Sequence, residues 1–129
     1  MKRILAMLVV ILLCAPARAE DGLWAPHVEL LIKIEGMLKI PNDPPSTAFP
    51  TGRKNALGNY ARYYIGVKLK GQTLINATFV RTDLYKTKAP AQRYIGNMGL
   101  VPKAKGCGVI RFTYDVDADK IVSLHCNPV

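Results

Sequence analysis

Apolar and polar positions follow different periods in different parts of this chain. Ile4 to Ala15 is one unbroken apolar run. Residues 22–40 fit two periods. As a helix, Pro26 suits the first turn, Glu29, Leu30, Leu31, Met37, Leu38 and Lys39 are good helix formers, and Pro41 ends it. As a strand, Val28, Leu30, Ile32 and Ile34 alternate with Glu29, Leu31, Lys33 and Glu35. The composition favours the helix. Residues 40–55 hold Pro41, Pro44, Pro45 and Pro50, which predicts an irregular connector wrapped over the surface.

Residues 59–81 read as a β-hairpin turning at Lys70-Gly71. That turn sets Val67 opposite Leu74, Ile65 opposite Asn76, Tyr64 opposite Ala77 and Arg62 opposite Phe79. Within the first strand, Ala61, Tyr63, Ile65, Val67 and Leu69 form the more apolar set, which predicts the core face. Tyr60, Arg62, Tyr64, Gly66 and Lys68 point the other way. Residues 82–106 lack a clean period, apart from a short strand expected at 92–97, and Lys86, Lys88, Arg93, Lys103 and Lys105 make them cationic. Residues 107–127 predict a second hairpin around Asp115-Val116-Asp117-Ala118, with Tyr114 opposite Asp119 and Cys107 opposite Cys126.

The first twenty residues change the meaning of the apolar run. Lys2 and Arg3 precede it, and Ala17-Arg18-Ala19 follows it with small residues at the positions a signal peptidase reads. A dozen apolar residues fall short of the ~20 that span a bilayer. Residues 1–19 therefore read as a cleaved signal peptide and 20–129 as one small domain. A lipoprotein signal at Cys14 is disfavoured by Leu13 before it. Cleavage leaves Cys107 and Cys126, an even pair in an oxidising compartment, which predicts a disulfide.

The chain has 18 lysines and arginines against 9 acids, and setting aside Lys2, Arg3 and Arg18 leaves 15 against 9. Residues 53–105 hold eleven of those bases and one acid, Asp83. Such a block points to an anionic partner. The candidate binding face is Tyr60, Arg62, Tyr64 and Lys68, joined by Phe79 and Arg81 from the partner strand. It is either an exposed cation–aromatic surface or is covered by the N-terminal helix. Export takes the protein away from most nucleic acid, leaving an anionic glycan, a lipid or an acidic protein as partner.

Catalytic patterns are weak. Ser123 and His125 share a strand face but lack an evident acid and oxyanion hole. Glu29 and Glu35 lie close together on one segment rather than across a cleft. Asp115, Asp117 and Asp119 imitate the start of a calcium loop, but Lys120 and Cys126 stand where glycine and a bidentate glutamate are needed. Neither a metal nor an organic cofactor is expected.

Through Asn59-Tyr60-Ala61-Arg62-Tyr63-Tyr64, together with the segment from Gly106 to Asn127, the chain resembles a group of small exported bacterial proteins of unknown function. They share a YARYY-type strand and a two-cysteine terminal hairpin. The resemblance supports the hairpin and disulfide and implies no activity. The expected fold is α+β: an N-terminal helix packed on a four- to five-stranded antiparallel sheet, with a disulfide-stapled C-terminal hairpin. The expected function is an exported, periplasmic or secreted, non-catalytic binding or accessory module. The alternatives are a small hydrolase using the C-terminal hairpin and a purely structural envelope protein.

Overall fold

The computed structural model describes residues 21–85, 90–103 and 106–126. Residues 1–19, expected to be a signal peptide, with Cys14, and Lys86, Lys88 and Lys105 lie outside the described residues. The element order is β1 (Gly22–Trp24), α1 (Val28–Met37), β2 (Tyr60–Leu69), β3 (Gln72–Arg81), β4 (Arg93–Ile95), β5 (Val109–Asp115) and β6 (Lys120–Cys126). One helix packs on one sheet, the α+β layout expected. Two three-residue strands, β1 and β4, bring the sheet to six.

The helical period prevails in residues 28–37 because Leu31, Ile34 and Glu35, spaced one turn apart, all face inward and are buried. The helix opens on the His27 carbonyl, which accepts from the Leu30 and Leu31 amides at 3.1 and 3.2 Å. It stops at Met37, short of Pro41. No helix among the described residues is long and apolar enough to cross a membrane.

The strands run in the order β1-β2-β3-β5-β6, with β4 also on β2. β1 pairs antiparallel with Gly66–Lys68, while β4 pairs parallel with Arg62–Tyr64, so two short strands share one edge of β2. The β2–β3 register is the expected one at all four positions named above. Lys70 and Gly71 both adopt positive φ, 49° and 79°, as a two-residue hairpin turn requires.

The second hairpin departs from its expected register. Asp115 pairs with Lys120, and a bulge after Thr113 leaves Val122 as the extra residue, so that Cys126 lies opposite Ile110. Cys107 is not on a strand at all. It sits in the 3₁₀ turn Gly106–Gly108 ahead of β5 and reaches Cys126 from there, with Cα atoms 4.6 Å apart. The disulfide is present. The strand pairing expected to align it is not.

The core lies between α1 and the face carrying Tyr60, Tyr64, Ile75, Phe79, Ile110, Phe112 and Tyr114. This overturns the expected orientation of β2. Tyr60 and Tyr64 are fully buried under the helix, whereas Tyr63, Ile65 and Val67 are only half-buried on the opposite face. That outer face is covered at one end, where Val80 and Val109 are buried against Tyr85, Met98 and Val101.

Candidate functional site

The residues singled out for a basic aromatic surface are mostly inside the protein. Phe79 meets Tyr64 and Phe112 edge-on, with ring centroids 5.6 and 5.2 Å apart. The Tyr60 hydroxyl donates to the Cys107 carbonyl at 2.6 Å, and burial pushes its pKa up strongly. Lys68, near the strand end, is the exposed member of the set. Tyr60, Arg62, Tyr64, Lys68, Phe79 and Arg81 therefore do not make one outward patch; α1 and the connector cover all but one.

What buries Arg62 is a carboxylate brought by the helix. Glu35 Oε1 accepts from Arg62 Nη1 at 3.0 Å, Tyr64 Oη at 2.6 Å and Arg93 Nε at 2.9 Å, and Oε2 accepts from Arg93 Nη2 at 2.6 Å. Burial alone would raise the Glu35 pKa. Hydrogen bonds from Arg93 and Tyr64, with the charges of Arg62 and Arg93, hold it below the ordinary carboxylate value instead. The same carboxylate, after burial itself, helps to push the Tyr64 phenol far up.

A second buried network closes the proline-rich connector. Asp43 pairs with Arg53, accepts from Asn55 Nδ2 at 3.1 Å and accepts from the Cys107 amide at 2.8 Å. Arg81 donates to Asn55 Oδ1 at 2.9 Å and forks onto both Asp83 oxygens at 2.9 and 2.5 Å. The arginines of the basic block, Arg53, Arg62, Arg81 and Arg93, are thus all tied to carboxylates of the same chain.

The available surface is the opposite face of the sheet. Cross-strand register aligns Tyr94 with Tyr63, Tyr63 with Thr78, Thr78 with Arg111 and Arg111 with His125. The five side chains form a straight row across β4, β2, β3, β5 and β6. The Tyr94 and Tyr63 rings stack at 4.9 Å with a 17° tilt. A parallel row holds Ile65, Asn76, Thr113 and Ser123, in which Thr113 Oγ1 donates to Asn76 Oδ1 at 3.0 Å. Two adjoining shallow depressions, ≈ 180 and ≈ 200 Å³, lie along these rows and share Asn76 and Thr78. No acid lines either one. Arg111 and His125 are exposed. Among the described residues, Arg111 is the one arginine without a carboxylate partner.

Ser123 and His125 do share this face, as expected, and both line the larger depression. Among the described residues no hydrogen bond joins them and no acid stands beside them in that depression. Of the three turn aspartates, Asp115 caps the amides of Asp117 and Ala118 at 3.0 and 3.1 Å, and Asp119 pairs with Lys33 and accepts from the Tyr114 hydroxyl. Tyr63, Tyr94, Thr78 and Arg111 were missed as surface residues. The signal for them lay in β3 and β5, where Asn76, Thr78, Arg111 and Thr113 alternate with Ile75, Ala77, Phe79, Ile110 and Phe112.

Comparison with known protein families, with curated proteins and with solved structures gives no match. The geometry of the open face therefore carries the functional reading.

Proposed function

We propose that the mature chain is an exported, non-catalytic binding or accessory module whose open sheet face receives an anionic component of the cell envelope. One observation carries this reading. Four described arginines are committed to internal carboxylates, while Arg111 stands exposed beside His125 at a depression that no acid lines. A guanidinium left unpaired on a surface with hydrogen-bonding neighbours is suited to a carboxylate or phosphate. The disulfide and the apolar leader with its small-residue cleavage pattern support export.

The test compares wild type with an Arg111→Ala/His125→Ala double variant on envelope extract at low and high salt. Wild-type retention should fall with salt. The double variant should bind roughly tenfold more weakly at low salt, the loss expected for a charge-assisted contact. Equal retention of the two proteins at low salt would remove this face as the binding surface.

A further inference from the structure

The open face is long in one direction only. The row Tyr94–Tyr63–Thr78–Arg111–His125 crosses five strands, and four interstrand spacings make it ~19 Å from end to end. Its two depressions are shallow and continuous through Asn76 and Thr78, a shape for an extended occupant rather than a compact one. Resting on the reading above, we propose that the occupant is a linear acidic polysaccharide laid across the strands along this row.

The chemistry changes along the row in the order such a chain needs. At the β4 end, the stacked Tyr63 and Tyr94 rings give a half-buried apolar shelf against which the carbon face of a sugar ring packs. In the middle, Thr78, Asn76, Thr113 and Ser123 offer hydroxyl and amide groups at the spacing of neighbouring strands. Thr113 occupies the Asn76 carbonyl oxygen and leaves the amide nitrogen without a protein partner among the described residues. At the β5–β6 end, Arg111 and His125 lie side by side, so the carboxylates of the polymer meet a cation there. The nearest acid on this face, Asp115, lies a further row away, opposite Lys120, and one of its oxygens already accepts from two turn amides.

Other anionic partners fit less well. A protein partner wants a large exposed apolar anchor at the centre of its contact. Here the central positions are Thr78 and Asn76, and the aromatic rings stand at one end of the row. A lipid headgroup wants a clustered cationic site, whereas this face spreads polar groups along a line.

The experiment is a titration of the mature, disulfide-bonded protein, followed by its backbone amide resonances. Four probes are used: oligogalacturonate, a neutral cello-oligosaccharide, poly-glutamate and anionic phospholipid vesicles. Oligogalacturonate should shift the amides of Tyr63, Asn76, Thr78, Arg111 and His125 together and bind less tightly at high salt. Arg111→Gln should weaken that binding about tenfold, and Lys68→Gln should leave it unchanged. Unshifted Glu35 and Ile34 amides would show that Arg111→Gln is folded. If poly-glutamate or vesicles shift the row and oligogalacturonate does not, the polysaccharide is wrong while the binding face stands. If no probe shifts the row, or if oligogalacturonate shifts only residues elsewhere, both proposals fall.

Discussion

Glu35 is the residue on which the helix–sheet contact turns. Its side chain is 5% exposed and receives four hydrogen bonds from Arg62 and Tyr64 on β2 and Arg93 on β4, two strands that meet in parallel. A buried carboxylate without partners would be strongly unfavourable, and so would the two guanidinium groups without it. Glu35→Gln should therefore cost about 3 kcal/mol in urea unfolding at neutral pH. The pH dependence has a defined sign. The folded pKa lies below the unfolded value, near 4.5, so the stabilisation is complete above that pH and is lost as pH falls through the folded value. Wild type should lose stability on acidification below about pH 4.5, and Glu35→Gln should show a flatter acid limb. Parallel acid limbs in the two proteins would mean that the folded state does not lower the Glu35 pKa. The sequence showed Glu35 only as one acid among five before residue 53, because its partners lie 27, 29 and 58 residues away.

Among the elements, turn chemistry was more legible than strand facing. Lys70-Gly71 set the β2–β3 register correctly, since only two residues separate the strands and both take the turn conformation. The facing of β2 was misread because its outward set, Ala61, Tyr63, Ile65 and Val67, is more apolar than its inward set. Arg62 is tolerated inside only because Glu35 meets it, a fact of tertiary contact. The partner strands held the answer: Ala77 and Phe79 are apolar and lie opposite Tyr64 and Arg62, which assigns the even positions of β2 to the core. The second hairpin failed for a different reason: its four-residue loop is 116–119, one residue later than expected, which moves the pairing by two, and a bulge that alternation does not reveal adds one more. Gly66 makes a testable point about β1. A Cβ there would lie 2.6 Å from two atoms of the Trp24 indole ring, so the strand edge closes only over glycine. Gly66→Ala should cost about 2 kcal/mol, the usual scale for overpacking. Trp24, the sole tryptophan, should report the displacement of β1 as a red-shifted emission in the folded variant. Unchanged emission and stability would refute the close packing of Trp24 on Gly66.

At the scale of the whole molecule, the arginines of the basic block belong to an internal arrangement. Acids from the first third, Glu35 and Asp43, meet arginines from the middle. The Glu35 pairs with Arg62 and Arg93 hold the helix to the sheet, the Asp43–Arg53 pair closes the connector on itself, and Arg81 on Asn55 ties the connector to β3. The disulfide belongs to the same closure, because Cys107 also binds Asp43 through its amide and Tyr60 through its carbonyl. Losing it loosens the start of β5 and the neck of the connector together. The two cysteines are 19 residues apart, and closing a loop of that size contributes about 3 kcal/mol in the chain-entropy model. That stabilisation depends on where the chain folds. Produced from Met1 in a cell that exports it, the protein should start near Glu20 and resist alkylation, and reduction should add two hydrogen atoms to its mass. Produced from residue 20 onward in a reducing cytoplasm, it should carry two alkylatable thiols and unfold at lower urea by an amount matching that ~3 kcal/mol. Intact mass spectrometry and urea titration of the two preparations decide the matter. An exported form that keeps residues 1–19, or one with both thiols free, would refute the cleaved leader and the oxidising compartment.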